Sequence, residues 1–419
     1  MFCSFRAPSV HLFSYKSDPD QSAGVDAAKN DIQPIDEGRL SVPVAELEAS
    51  DLSGNEVVER GRHLARQDLW STLSEELLNA DNAGSNAPGS IPIADLLAYG
   101  ARSDVVLAAE HALSDDELSN EQILLLGITE LEDVWMEHDH DPMIGLVVAL
   151  AHIDLAWAWR DAPENSDMSK LSRSRCAAHF DRAAVILAEC KKAAPNSPAV
   201  TSACCALLAG QRDPRVRVAN EYEKLISLDP SNYRPMRAMG NHLLPSWFGS
   251  YEELELQALR VAALTRDTWG AGGYTWVQFD AIALDNEACA QVDVEYFLEG
   301  MRDIVERRPD QEMINLLAAY CAITLRKGFG RHEKADVARG QICEAADWLI
   351  RDHLTELHPM IWAHAADGFN NSVRISSPER FAARGHRAAL RAISDLFRDE
   401  LRSGKCVTFT PNGLSYSTH

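Results

Sequence analysis

Residues 222–274 read YEKLISLDPSNYRPMRAMGNHLLPSWFGSYEELELQALRVAALTRDTWGAGGY. A helical pattern ends at Leu228-Asp229-Pro230-Ser231-Asn232, because proline cannot extend a helix and the residues around it favour turns. A second helix begins near Arg234-Pro235, and a third fills Tyr251 to Leu264 after the break Pro245-Ser246-Trp247-Phe248-Gly249. The unit is helix, turn, helix. A pair of this size cannot bury its apolar stripe alone, so neighbouring pairs must stack on it. The stretch therefore predicts an all-α fold of stacked antiparallel helix pairs, with short irregular segments at the two ends.

Composition bounds the function. The chain has 419 residues, 46% of them hydrophobic, with a mean hydropathy of -0.22, which is ample material for a core. Its formal charge of -23 opposes gripping a phosphate backbone or an anionic bilayer, so neither nucleic acid nor membrane is expected as a partner. The start, MFCSFRAPSVHLFSYKSDPDQ, lacks the pattern of a signal peptide, and no run approaches about 18 uninterrupted apolar residues. The nine cysteines (3, 176, 190, 204, 205, 289, 321, 343 and 406) form an odd number without C-x-x-C spacing, as expected of reduced thiols in a cytoplasmic protein.

Working outward, residues 1–55 read as a mostly irregular acidic segment, and 56–165 as N-terminal helix pairs. A helix from Glu56 carries Val57, Leu64, Leu69, Leu73, Leu77 and Leu78 and stops at the loop-rich 81–89. Helices follow at about 93–100, 104–113 and 120–137. Asp141 is placed to cap the next one, with Pro142 at its first position and Ile144, Val147, Val148, Ala151, Leu155, Ala158 and Trp159 on its inner face. A polar linker covers 161–173. Residues 166–372 form the main helical array, 373–403 an arginine-striped C-terminal helix, and 404–419 a tail whose β-like alternation is too short for a sheet of its own.

Pro195 and Pro230 each close a helix and stand 35 positions apart, against about 34 residues for a tetratricopeptide repeat. Residues 166–310 resemble degenerate repeats of that family. The alignment puts Tyr222 on the large aromatic position of a second helix, Ala206 and Gly240 on the small position of first helices, and Ala183 and Cys190 on small positions with Leu187 between them. The departures are Ser202 and Met236 for the first-helix tryptophan, Val218 and Leu225 for alanines, and the lengthened turn 245–249. The resemblance implies a concave groove that binds a protein or peptide.

Three constellations are candidate sites. Trp247, Phe248, Trp269, Tyr274 and Trp276 concentrate aromatics around two neighbouring loops, either as a partner or ligand groove or as seals on oversized turns. His138, His140, Asp141 and His152 have ligand types suited to zinc or another first-row metal, although dipole complementation and capping account for the same residues. Arg380, Arg384, Arg387, Arg391, Arg398 and Arg402 fall in one helical stripe about 60° wide. Over 371–405, eight basic residues oppose four acidic ones. That stripe is either a solvated face or a dock for an acidic surface, including a second copy of the chain.

Catalytic templates are missing: there is no G-x-S-x-G, H-E-x-x-H or Walker loop, and Gly328-Phe329-Gly330 lacks the rest of a dinucleotide fingerprint. The expectation is a cytoplasmic helical-repeat scaffold that binds a protein or peptide without a cofactor. The alternative is a metal-binding protein or metal-dependent enzyme using the His138/His140/His152 region.

Overall fold

The apolar run from Pro142 to Arg160 becomes a helix without a solvent face, for every residue from Met143 to Trp159 is buried. In the computed structural model, which describes residues 38–45, 47–87, 89–114, 121–160, 168–211, 215–367 and 377–418, most residues are helical. The readings for residues 1–37 and for the linker over 161–167 lie outside these. Among the described residues this is the one helix long and apolar enough to cross a membrane, and 94% of that window is buried inside the protein. A helix apolar all round is a core helix when other helices surround it.

The chain forms two compact units that divide between Thr268 and Trp269, inside the stretch read as one array. The first unit holds α1 (Leu47–Arg66), α2 (Trp70–Ala83), α3 (Ile93–Ser114), α4 (Glu121–Glu137), α5 (Pro142–Arg160), α6 (Met168–Ala193), α7 (Pro198–Leu207), α8 (Arg215–Leu228), α9 (Arg234–His242) and α10 (Tyr251–Leu264). Around α5 pack α2, α3, α4, α6 and α7, so the amphipathic face read from its sequence is only part of what is buried. The helix read as starting at Glu56 is two helices. Asp68 takes a left-handed φ of 57° between α1 and α2, and the leucine beat continues across the break because both helices face one core. Conversely, the two helices read over 93–113 are the single helix α3.

Glycines set the α1–α3 crossing. A Cβ on Gly100 would lie 2.0 Å from the Val58 carbonyl oxygen, and one on Gly61 would lie 2.2 Å from that of Leu97. Backbone therefore touches backbone, and Arg62 donates from Nε to Ser103 Oγ at 3.0 Å across the contact. Gly100→Ala is expected to cost about 1–3 kcal/mol in urea unfolding, because neither helix can yield without moving its axis. Gly340→Ala, in a helix with nothing within 4 Å of the new methyl, should instead be neutral or gain up to about 1 kcal/mol.

Two of the prolines stand just beyond helix ends. α6 ends at Ala193 before Pro195, and α8 ends at Leu228 before Pro230; α7 packs on α8, and α8 on α9. Ala183, Leu187, Cys190, Tyr222 and Gly240 are all buried.

After α11 (Arg266–Trp269), the second unit continues with α12 (Gly272–Leu284), α13 (Asn286–Gln291), α14 (Val294–Arg307), α15 (Gln311–Ala319), α16 (Glu333–Cys343), α17 (Ala345–Trp348), α18 (Pro359–Ala366), α19 (Pro378–Leu396) and α20 (Arg398–Arg402). Short π-turns at Tyr320–Thr324 and Leu349–His353 extend α15 and α17.

The ends are more ordered than their sequence implies. The tail is a hairpin of β4 (Lys405–Thr410) and β5 (Gly413–Thr418), and β4 also pairs in parallel with β1 (Leu40–Ser41), giving a three-stranded sheet. This corrects the expectation of an irregular tail. The hairpin is stabilised by packing: Phe409 meets Phe397 edge-to-face at 5.8 Å, and Val407 is fully buried. The remaining two strands, β2 (Asn86–Ala87) and β3 (Ile91–Pro92), form a small antiparallel ribbon before α3.

Candidate functional site

The five aromatic residues of the expected groove do not share one unit. Trp269, Tyr274 and Trp276 are core residues of the second unit. Trp269 meets Trp276 edge-to-face at 5.8 Å, Trp276 packs on Phe279 at 5.3 Å, and Phe279 stacks on Tyr320 at 3.8 Å. The Tyr274 hydroxyl accepts a hydrogen bond from the Asp293 N–H at 3.0 Å. The glycines among them serve packing. A Cβ on Gly272 would lie 2.6 Å from the Ile304 side chain, so α12 and α14 approach closely there.

Trp247 and Phe248 lie half-exposed in the first unit, in the turn between α9 and α10. Both rings pack against the buried imidazole of His242, at 6.1 and 5.6 Å, and His242 Nδ1 shares a 2.9 Å hydrogen bond with the Tyr222 hydroxyl. Burial pushes the His242 pKa down to about 3, so the ring is neutral at neutral pH. The turn leads into α10, which Ser250 caps through its side chain to the Glu253 N–H. Leu254, Gln257, Ala258, Val261 and Ala262 face inward. On its other side Leu256 and Leu259 are 51% and 45% exposed, and Leu264, at the helix end near the edge of the buried face, is 45% exposed.

Three of the four residues considered for a metal, His140, Asp141 and His152, have other partners. After α4 the chain turns through Asp139 and His140, both at left-handed φ, and the His140 N–H donates to the Trp135 carbonyl at 3.0 Å. The His140 ring packs on Trp135 and meets Glu189 at 2.9 Å. Asp141 caps α5, accepting from the Met143 and Ile144 N–H groups and from the Ser74 hydroxyl. His138 stays in the turn. His152 lies three turns further along α5, about 16 Å away by helical rise, and is buried. Among the described residues no three His, Cys, Asp or Glu side chains are grouped to hold a metal ion.

His152 belongs instead to a polar cluster that no local pattern reveals. Its Nε2 meets Glu132 Oε1 at 2.9 Å and its Nδ1 meets His179 Nδ1 at 2.9 Å, so one proton lies between the two rings. Arg182 grips the same carboxylate through Nε and Nη2, at 3.1 and 2.6 Å. The hydrogen bond from His152, with help from Arg182, holds the Glu132 pKa down at about 2. Burial, reinforced by His152 and Arg175, lowers that of His179 to about 4. On α5 as well, Asp154 accepts from Arg102 Nε at 2.7 Å with both side chains almost wholly buried.

A narrow cleft in the first unit is lined by Asp81, Asp95, Tyr222, Asp229, Asn232 and Arg234. Its polar groups include caps. Asp81 accepts from the Ser197 hydroxyl and the Ala199 N–H at the start of α7, and Asn232 accepts from the Arg234 N–H at the start of α9. Burial raises the Asp81 pKa.

The arginine stripe is shorter than its sequence spacing implies. The helix breaks at Phe397, so Arg398 and Arg402 belong to α20, and Arg398 pairs with Asp395 at 2.8 Å. On α19, Arg384 pairs with Asp367, and Arg380, Arg387 and Arg391 are exposed. No protein-family model, curated protein or solved structure matches this chain.

Proposed function

We propose that the chain is a scaffold of tetratricopeptide-like helix pairs whose first unit binds a protein partner through α10 and the Trp247-Phe248 turn. The observation that carries this reading is the outward side of α10, where Leu256 and Leu259 stay open to solvent while the opposite side fills the core. Scattered single leucines on a surface need no explanation, whereas two side by side on one helix face, following two partly buried rings, form a recognisable patch. Glu252, Glu253 and Glu255 border it, in a chain with a net charge of -23. The matching partner is an amphipathic segment with apolar anchors and basic flanks.

Affinity capture from lysate tests this, comparing the unmodified protein with Leu256→Asp/Leu259→Asp and with Val185→Asp, an exposed apolar position on α6. Proteins retained by the unmodified chain and by the Val185 variant should be lost from the α10 variant. Identical capture by all three would remove the proposal.

A further inference from the structure

Two oppositely charged helix faces in this chain lack ion-pair partners among the described residues. On α19 the exposed guanidinium groups of Arg380, Arg387 and Arg391 meet no described carboxylate. On α4, Glu130, Asp133 and Glu137 are exposed and meet no described cation. We propose that two copies of the chain associate through these faces, the arginine face of α19 in one copy seated on the acidic face of α4 in the other.

The spacing supports a helix-on-helix dock. Leu126, Glu130, Asp133 and Glu137 follow steps of 4, 3 and 4, the same steps as Arg380, Arg384, Arg387 and Arg391. At 100° per residue each set occupies a stripe about 60° wide and roughly 16 Å long. Long side chains can bring such rows into register whether the helices run parallel or antiparallel.

Within each face, like charges at i,i+3 and i,i+4 repel one another, a cost that the opposite face removes on docking. The acidic face also carries Leu126 at 62% and Met136 at 51% exposure. Arginine stems lying across these two side chains would cover apolar surface while their heads reach the carboxylates.

A chain of net charge -23 repels its own copies at long range, so association needs a local basic surface to begin. The α19 face supplies one. Each copy carries both faces, so the contact is either made twice within one two-fold dimer or repeated head to tail into longer assemblies. This inference is independent of the partner proposed for α10, which uses a different helix and apolar contact.

The test is a charge swap read by light scattering. At about 0.1 mM protein and low salt, the unmodified chain should exceed its monomer mass of 46.3 kDa, returning towards it at about 0.5 M salt as pairs are screened. Arg380→Glu/Arg387→Glu/Arg391→Glu and Glu130→Arg/Asp133→Arg/Glu137→Arg should each stay monomeric, since each brings like charges together. Mixed in equal amounts, the two variants should associate again, because the first offers an unaltered acidic face and the second an unaltered basic one. Should a triple variant misfold by circular dichroism, Arg387→Gln and Asp133→Asn serve instead, each loosening association by about two- to fivefold. The proposal is overturned if the unmodified chain stays at 46.3 kDa, if either reversal leaves association unchanged, or if the mixture remains monomeric.

Discussion

Replacing Asp154 with alanine is expected to destabilise the first unit by about 3–5 kcal/mol, a large share of a typical domain's stability. Arg102 and Asp154 lie in the core with side-chain exposures of 1% and 5%, joined by a 2.7 Å hydrogen bond. Arg102 Nη1 has no hydrogen-bond partner among the described residues, and the guanidinium carbon lies 5.4 Å from the centre of the Tyr99 ring. Without the carboxylate, the buried guanidinium charge is left in an apolar setting. Because desolvating both ions offsets most of their attraction, Arg102→Met/Asp154→Leu should recover most of the loss. Urea unfolding of the single and double variants measures both. A cost below about 1 kcal/mol for Asp154→Ala would mean that the pair does not control this core.

How far the fold could be read in advance follows from what each element depends on. The helices from α6 to α10 announce themselves locally: Pro195 and Pro230 stop helices, Ser197 and Ser250 cap them, and apolar beats fill what lies between. The buried charge network sends no such signal. Glu132 and Arg182 stand 50 positions apart, and Arg102 and Asp154 stand 52 apart, so only the packing of α3, α4 and α6 on α5 brings them together. The C-terminal hairpin was underestimated for the same reason. Its third strand comes from Leu40–Ser41 at the other end of the chain, and its ring contact comes from Phe397, where the helix breaks. The aromatic residues divide between two settings that sequence does not separate, because a local run of Trp, Gly and Tyr looks alike in a surface loop and at a tight α12–α14 crossing. In the metal quartet, periodicity separates His152 from the rest, since α5 carries it three turns beyond Asp141.

Acid should begin to destabilise the first unit at a pH well above that of ordinary carboxylate titration. His242 and His179 have folded-state pKa values lowered by burial to about 3 and about 4, whereas in the unfolded chain both take up protons near pH 6.5. The unfolded state thus binds more protons, and stability falls as pH drops through 6.5, levelling only below the folded values. By pH 4 each histidine contributes a loss on the order of 3 kcal/mol. Glu132 then adds to it: its pKa is held at about 2 against an ordinary value of 4.5, so its stabilising contribution is present above 4.5 and disappears as pH falls towards 2. Two histidines together approach the whole stability of a typical domain. Urea midpoints measured between pH 7 and pH 4 should therefore fall steeply, with an uptake near two protons on unfolding around pH 5. His242→Phe should reduce that uptake by about one proton whatever it does to absolute stability, because the slope counts protons and not contacts. A midpoint that stays level from pH 6.5 to 4.5 would show that neither imidazole is held neutral by the core.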